Sequence, residues 1–416
     1  MLQIALDSKA IRLIASYQEK LSLMPKRPVV VVGASSAGLY AAYLLAQQKL
    51  PVRVYEASPH LAAEPRTLIV TAEFTRALSL PARGVIRNEI RQMALFSPSA
   101  RAQVALAQPD LVIERRGLIE LLAAEAQTAG AELCLGYRFV GLAAEDPSGQ
   151  LSIRLVNEAT GRQEQVTASA LIGADGLHSQ VARAAGLAAV PAIANLQAEV
   201  ALPENFTPDT ACVWFAPHDT RFFYWLIPQS AERAVVGLAA DSMAQARECL
   251  ARFLKARDWH PLAYQAETVA GHRFGYRPWA RIGHARVYLV GDAAGQVKVT
   301  TVGGVVTGLW GARAAAQAIA GQPEHKATLA RLSRELDWHT LLRGLLDRFS
   351  PADYDTLLRL LNQRTLALLR THTRDQFTHM IWRLLLAQPR WLPFLARLLA
   401  RSLRRQPMAG RPVWEQ

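Results

Sequence analysis

Cysteine is scarce. The 416 residues hold three, Cys134, Cys212 and Cys249, far apart and with no C-x-x-C spacing. That excludes a disulfide framework, a cysteine zinc site and a dithiol redox pair, and it suits a reducing cytoplasm. No metal site is expected. Lysine is scarce too: seven of 47 basic side chains, with none from Leu50 to Leu254. Long apolar runs are missing. The most apolar late stretch, Met380 to Ala400, is broken by Arg383, Arg390, Arg397 and two prolines, so it should not span a bilayer. The first 25 residues do not read as a signal peptide, because Asp7, Lys9, Arg12, Glu19 and Lys20 interrupt their apolar positions. They read as a dispensable extension, residues 1–27.

What is present is a chain 51% apolar and 19% charged, enough for two or three substructures of an enzyme-sized protein. The net charge is +13, and arginine is dense after residue 331. Those arginines alternate with leucine at helical spacing. This pattern fits a solvated helix face or peripheral contact with an anionic membrane surface, such as the inner face of the cytoplasmic membrane. No nucleic-acid partner is expected.

The chain is organised around Pro28 to Glu56. Val29 to Val32 is a β-branched run suited to a strand buried on both faces. Gly33 to Gly38 has the G-x-x-x-x-G frame of a dinucleotide loop, with Ser35 in place of the middle glycine and Ser36 and Ala37 completing it. A helix is predicted from Leu39 to Gln48, then a strand Val52 to Tyr55. Glu56 ends that strand, where an acid can accept hydrogen bonds from both hydroxyls of an adenosine ribose. Free N–H groups at the helix start would hold a pyrophosphate.

Arg66 follows in a loop with His60 and Glu64, and can reach a cofactor phosphate. Thr67 to Thr71 reads as a short strand, and residues 72–110, with Pro81, Pro98 and Pro109, as irregular. From Ile113 an amphipathic helix is predicted, with Leu118, Leu121, Leu122 and Ala126 on one face and Gly130 ending it. A small β insertion should follow, with strands at Phe139-Val140 and Leu151 to Val156 around the turn Asp146 to Gly149. A strand then runs into Gly173-Ala-Asp175-Gly176, with a helix starting near Ser179. Residues 190–270 are rich in aromatics and β-formers. Strands are predicted at Val213 to Phe215, Phe222 to Pro228 and Ala234 to Leu238, and a helix at Met243 to Arg257. Phe223 and Trp225 are candidates for lining a greasy pocket. Val287 to Val290 delivers Gly291-Asp292, whose carboxylate can bind a sugar hydroxyl. Thr300 to Gly304 leads into a helix at 305–320, and Gly303-Gly304 puts backbone N–H groups where they suit a delocalised anion. Helices near 328–348, 352–371, 374–388 and 391–405 complete the chain.

These three signatures, the first glycine loop with Glu56, GADG at 173–176 and GDAAG at 291–295, resemble the glutathione-reductase-type FAD fold. The branch is the one shared by para-hydroxybenzoate-hydroxylase-like monooxygenases and geranylgeranyl reductases, and the likeness covers roughly residues 28–360. Lys298 to Gly308 is similar to the K-P-T-T-G-G-G-I stretch of geranylgeranyl reductases, with Val299 for the proline and Val302 for a glycine. Phe223-Tyr-Trp-Leu-Ile-Pro228 resembles their Y-x-W-x-F-P. The resemblance implies that Glu56 binds the FAD adenosine ribose, that Arg115 (or its neighbour Arg116) contacts flavin, and that Asp175 and Gly176 belong to the second fingerprint. It also implies that Asp292 holds the ribityl chain. Paired arginines that often follow the second fingerprint are Ala182 and Arg183 here, which weakens nicotinamide-cofactor docking at that place.

The implied fold is α/β. An FAD-binding Rossmann-like domain is expected at 28–80, 110–189 and 271–327, an antiparallel-sheet substrate domain at 81–109 and 190–270, and a C-terminal helical region at 328–416. The implied activity is FAD-dependent reduction of carbon–carbon double bonds in a prenyl or lipid-like substrate, with NAD(P)H or another electron donor and a proton from a bound acid or water. The rival readings are an FAD- and NAD(P)H-dependent hydroxylase of an aromatic or polyketide substrate, and a non-catalytic flavin-fold escort for a prenyl chain. A halogenase is disfavoured by the lack of lysine from Leu50 to Leu254. Tyr224, His178 and His272 are present as proton donors but read as structural.

Overall fold

The computed structural model describes residues 27–61, 65–82, 84–143 and 151–404, the last six as backbone only. The N-terminal extension up to residue 26, Glu64, the Asp146 to Gly149 turn and the chain after 404 lie outside the described residues.

β1 (Val29–Val32) is buried at all four positions, as a β-branched run between two parallel neighbours should be. α1 (Ser36–Gln47) starts three residues earlier than expected, because Ser35 is its N-cap: the Ser35 hydroxyl accepts from the Gly38 N–H at 3.3 Å. The end of the glycine loop is therefore already the first helical turn. β2 (Val52–Glu56) and β3 (Thr67–Val70) follow as predicted.

Residues 72–110 are not irregular. They form α2 (Glu73–Leu78) and a long antiparallel hairpin, β4 (Ile86–Phe96) with β5 (Arg101–Glu114). The hairpin hides its strand signal for a physical reason. Much of it is exposed or half-buried on both faces, so apolar and polar residues do not alternate cleanly. Its register also shifts between Ile90 and Gln92, and Pro109 sits in that irregularity, where no ladder hydrogen bond is lost. Ile113 and Glu114 belong to β5, so α3 (Arg115–Thr128) begins two residues later than predicted, capped by the Glu114 carboxylate. Leu118, Ile119, Leu122 and Ala126 are its buried face; Leu121 is only half-buried.

β6 (Glu132–Leu135) precedes a three-stranded sheet of β7 (Tyr137–Leu142), β8 (Leu151–Asn157) and β9 (Gln163–Ala168), the last of which was not anticipated. β10 (Ala170–Gly173) leads to the short α4 (Gln180–Ala184). Then come β11 (Ala192–Ala201), β12 (Thr210–Trp214), β13 (Tyr224–Pro228), β14 (Arg233–Ala240), α5 (Met243–Lys255) and β15 (Ala263–Ala270). Of these strands β11 and β15 were not predicted, and Phe222 and Phe223 precede β13. β16 (Trp279–Ile282) and β17 (Ala285–Leu289) run into a 3-10 turn at Gly291–Ala294 and α6 (Val305–Ile319). The helical end is α7 (His325–Leu346), α8 (Pro351–Arg359), α9 (Gln363–Thr371), α10 (Phe377–Ala387) and α11 (Trp391–Arg404). The single helix expected over 352–371 is two, because Asn362 caps a new start by accepting from the Thr365 N–H. Among the described residues, no helix is long and apolar enough to cross a membrane.

Two large sheets result. The six-stranded one has the order β16-β17-β10-β1-β2-β6, parallel except for β16. Helices α1, α3 and α6 bury one face through Leu45, Leu122 and Leu309; the three-stranded sheet covers the other through Ile153 and Leu155. The eight-stranded sheet has the order β15-β11-β14-β13-β12-β4-β5-β3 and is antiparallel except where β12 meets β4. Alternation splits its β13 residues: Tyr224 and Leu226 pack under α5, while Trp225 and Ile227 join a cluster on the opposite face with Val299.

Candidate functional site

The first site element is the turn after β1. Gly33 has φ +99°, and a Cβ there would sit 2.4 Å from the Ala174 carbonyl oxygen. A Cβ on Gly38 would sit 2.4 Å from the Gly33 oxygen and 2.7 Å from Ala174 Cβ. Both glycines are demanded by the close approach of the GADG turn. Gly291 lies beside Ala37, 3.1 Å from it to an added Cβ, so the third signature meets the first.

Between the ends of β1, β2 and β10 opens a cavity of about 370 Å³. Gly33, Ser35, Glu56, Arg115, Asp175 and Gly176 all line it. Glu56 reaches back across the strand ends, accepting from the Ala34 N–H at 2.7 Å and the Ser58 N–H at 3.0 Å. Each carboxylate oxygen still has capacity for a further donor. Asp175 is differently engaged: it accepts from Ser179 Oγ at 2.6 Å and from the Gln180 and Val181 N–H groups at 2.7 and 3.1 Å, tying down the start of α4. His178 is exposed at the cavity wall.

Arg115 leads from this cavity toward Asp292. Burial pushes the Asp292 carboxyl above its usual range, while the Ala270 N–H at 3.0 Å, Arg115 and Arg66 pull it back. Arg66 is 6% exposed, and burial together with Arg115 pushes its guanidinium down to about 10. Both arginines bind one acid that sequence reasoning missed. Glu267 Oε1 accepts from Arg115 Nη1 at 2.7 Å, and Oε2 accepts from Arg66 Nη1. Arg116 instead donates its backbone N–H to Glu114. The only sign of Glu267 in the chain is the alternation of Gln265, Glu267 and Val269, which puts all three on one side of β15.

Gly304 sits next to Asp292, an added Cβ falling 3.6 Å from Oδ1, and Gly303 precedes it at the start of α6. The loop before them is tight: the Lys298 N–H donates to the Gly303 carbonyl at 3.1 Å, and the Val302 N–H to the Lys298 carbonyl at 2.8 Å. Val302 has φ +52°, a conformation strained for a β-branched residue. Val299 and Val302 pack on the face of the eight-stranded sheet that carries Ile90, Phe222, Phe223 and Trp225. Phe223 and Trp225 meet edge to face at 5.9 Å. Both predicted pocket residues thus stand on the side of the sheet that faces the glycine loop. The Tyr224 hydroxyl points the other way and donates to Asp219 at 2.9 Å. His272 is held between the Gly295 carbonyl and Asp337, at 3.0 and 3.1 Å.

The parts fit an extended dinucleotide. The crowded glycines bring backbone N–H groups and a helix start to one cleft, Glu56 retains acceptor capacity, and buried Arg66 keeps its Nε without a partner. A family profile described as "FAD binding domain" matches residues 26–334. A digeranylgeranylglycerophospholipid reductase of Methanocaldococcus jannaschii is 26% identical over 80% of this chain and 90% of its own length. Digeranylgeranylglycerophospholipid reductase 2 of Methanothermobacter thermautotrophicus is 29% identical over 82% and 93%. The crystal structure of a geranylgeranyl bacteriochlorophyll reductase-like protein of Thermoplasma acidophilum shares the fold, with a TM-score of 0.73 at 21% identity, covering 89% of this chain and 98% of that one.

Proposed function

The chain belongs to the FAD binding domain family, and from that premise we propose that it reduces carbon–carbon double bonds of a prenyl or lipid-like substrate. The observation that carries this reading is the apolar wall of Ile90, Phe222, Phe223 and Trp225 facing the Val299 to Gly304 loop. The names of the relatives support it.

FAD supplies the two-electron chemistry when bound. In this reading Gly33 to Gly38 and the start of α1 hold its pyrophosphate, Glu56 its adenosine ribose and Asp292 its ribityl hydroxyls. Arg66 and Arg115 lie along the middle of the molecule, and Gly303-Gly304 directs backbone N–H groups at its far end. Val299 and Trp225, both buried, exclude water from the reacting bond. Tyr224 is set aside as the proton source by its place on the opposite face, and His272 by its two existing partners.

The test is anaerobic. Dithionite-reduced holoprotein is mixed with a polyprenyl lipid, and the product is weighed by mass spectrometry. A gain of two hydrogens per reduced bond is expected. A hydroxylated product that requires oxygen, with substrate-stimulated NAD(P)H oxidation, would instead establish the monooxygenase.

Peripheral membrane contact belongs to the same reading. Trp382 and Leu386 on α10 and Leu392 on α11 are 65%, 80% and 56% exposed, and Arg383 and Arg390 flank them. The sequence has no acidic residue between Asp375 and Glu415. Apolar tips ringed by arginine suit an anionic bilayer. Flotation with phosphatidylglycerol vesicles should carry the wild type and leave Trp382→Ala/Leu386→Ser behind; equal behaviour of the two would refute the contact.

A further inference from the structure

β15 belongs to the edge of the eight-stranded sheet, yet it enters the cofactor site twice. The Ala270 N–H donates to Asp292, and three residues earlier Glu267 takes Arg66 and Arg115 on separate carboxylate oxygens. Gln265, on the same side of the strand, accepts from the Thr67 N–H at 3.2 Å and from Gln197 Nε2 at 2.7 Å. Gln197 in turn accepts from Trp225 Nε1 at 3.2 Å. One strand therefore links the arginines, the ribityl acid and the apolar wall.

Arg66 and Arg115 are two cations; Glu267 and Asp292 are the acids they share, and Glu114 adds its charge beside Arg115. Arg66 is buried, where water screens its charge poorly, so that charge acts strongly on whatever lies beside it. Reduced flavin gains negative charge and is favoured by nearby cations. An acid fixed between those cations opposes that preference and also sets where the guanidinium groups point.

We propose that Glu267 is a positioning residue that orients Arg66 and Arg115 toward the flavin and holds the redox potential of the bound cofactor down. It does so from a strand outside the dinucleotide-binding sheet, so seating of the eight-stranded sheet and the potential are coupled. The inference rests on FAD occupying this site and is independent of which substrate is reduced.

The test is a spectroelectrochemical titration of FAD-loaded protein against a reference dye, with thermal melting of the same samples. Glu267→Gln removes the charge and keeps the shape. The expected result is at least a tenfold gain in affinity for reduced over oxidised flavin, about 30 mV upward for a two-electron couple. Glu267→Asp keeps the charge and should stay near the wild-type potential. An unchanged potential in Glu267→Gln, or an equal rise in Glu267→Asp, overturns the proposal, whatever the melting temperature does. If Glu267→Gln purifies without flavin, Arg66→Gln reads the same balance with opposite sign: a lowered potential supports the proposal and an unchanged one refutes it.

Discussion

Lys298 and Asp375 form an ion pair with side chains only 6% and 4% exposed. It joins the loop beside Gly303 to the connection between α9 and α10, and Thr71 adds its hydroxyl to the same carboxylate. The adjacent Arg374 pairs with buried Asp110 on β5 at 2.7 Å. Two neighbouring residues thus pin the helical end of the chain over the site. Asp375→Asn should lower unfolding stability by about 3 kcal/mol, because it leaves a buried ammonium without its counter-ion. Urea denaturation measures this, and Lys298→Met/Asp375→Leu should recover much of the loss.

Acid should release the same region first. Burial pushes Asp375, Glu335 and Asp337 upward, but their partners prevail and hold all three carboxyls below the usual range. Lys298 and Thr71 do so for Asp375, His339 and Thr378 for Glu335, and His272 with the Gly275 N–H for Asp337. A carboxyl depressed in the folded state adds stability above its unfolded pKa, and that contribution is lost as pH falls through the folded value. With unfolded values of about 3.9 for Asp and 4.3 for Glu, the contribution is full near pH 6 and declines below about pH 4. Hydrogen exchange in α7 and α10 should quicken below that point before exchange in β1 does. Uniform loss of protection would refute the order.

Ser35 separates cap from cofactor. Its hydroxyl caps α1, so Ser35→Ala should cost about 1 kcal/mol, whereas Ser35→Gly should cost only a few tenths. FAD content after purification should survive in the glycine variant. A flavin-free Ser35→Gly protein would show that the hydroxyl is needed for the cofactor itself.

Val302 is held at φ +52°. Such strain is worth about 1–3 kcal/mol, against roughly 1 kcal/mol for the apolar contact its half-buried side chain makes. Val302→Gly should therefore stabilise the protein by about 1 kcal/mol in thermal or urea unfolding. A lower melting temperature would show that packing on the aromatic wall outweighs the strain.

The cofactor side of this protein was legible in the chain because its signals are contiguous. Val29 to Gly38, Ala170 to Gly176 and Val287 to Gly295 each carry a strand and its turn in one short stretch, and backbone geometry does the rest. The helical end was legible for the same local reason, through leucine spacing. The β4–β5 hairpin was not, since its register shift and exposed faces erase the period that marks a strand. Nor were the pairings that shape the site. Arg66 and Glu267 are 201 residues apart, and Lys298 and Asp375 are 77 apart. An acid on a mixed strand looks like any other until the edge of the second sheet brings it against two buried arginines. Sequence alone determined that this is an FAD-binding fold and which two glycine turns frame its cavity. Only the tertiary structure decided which charges surround it and what covers the apolar wall, because those contacts exist solely through the packing of distant segments.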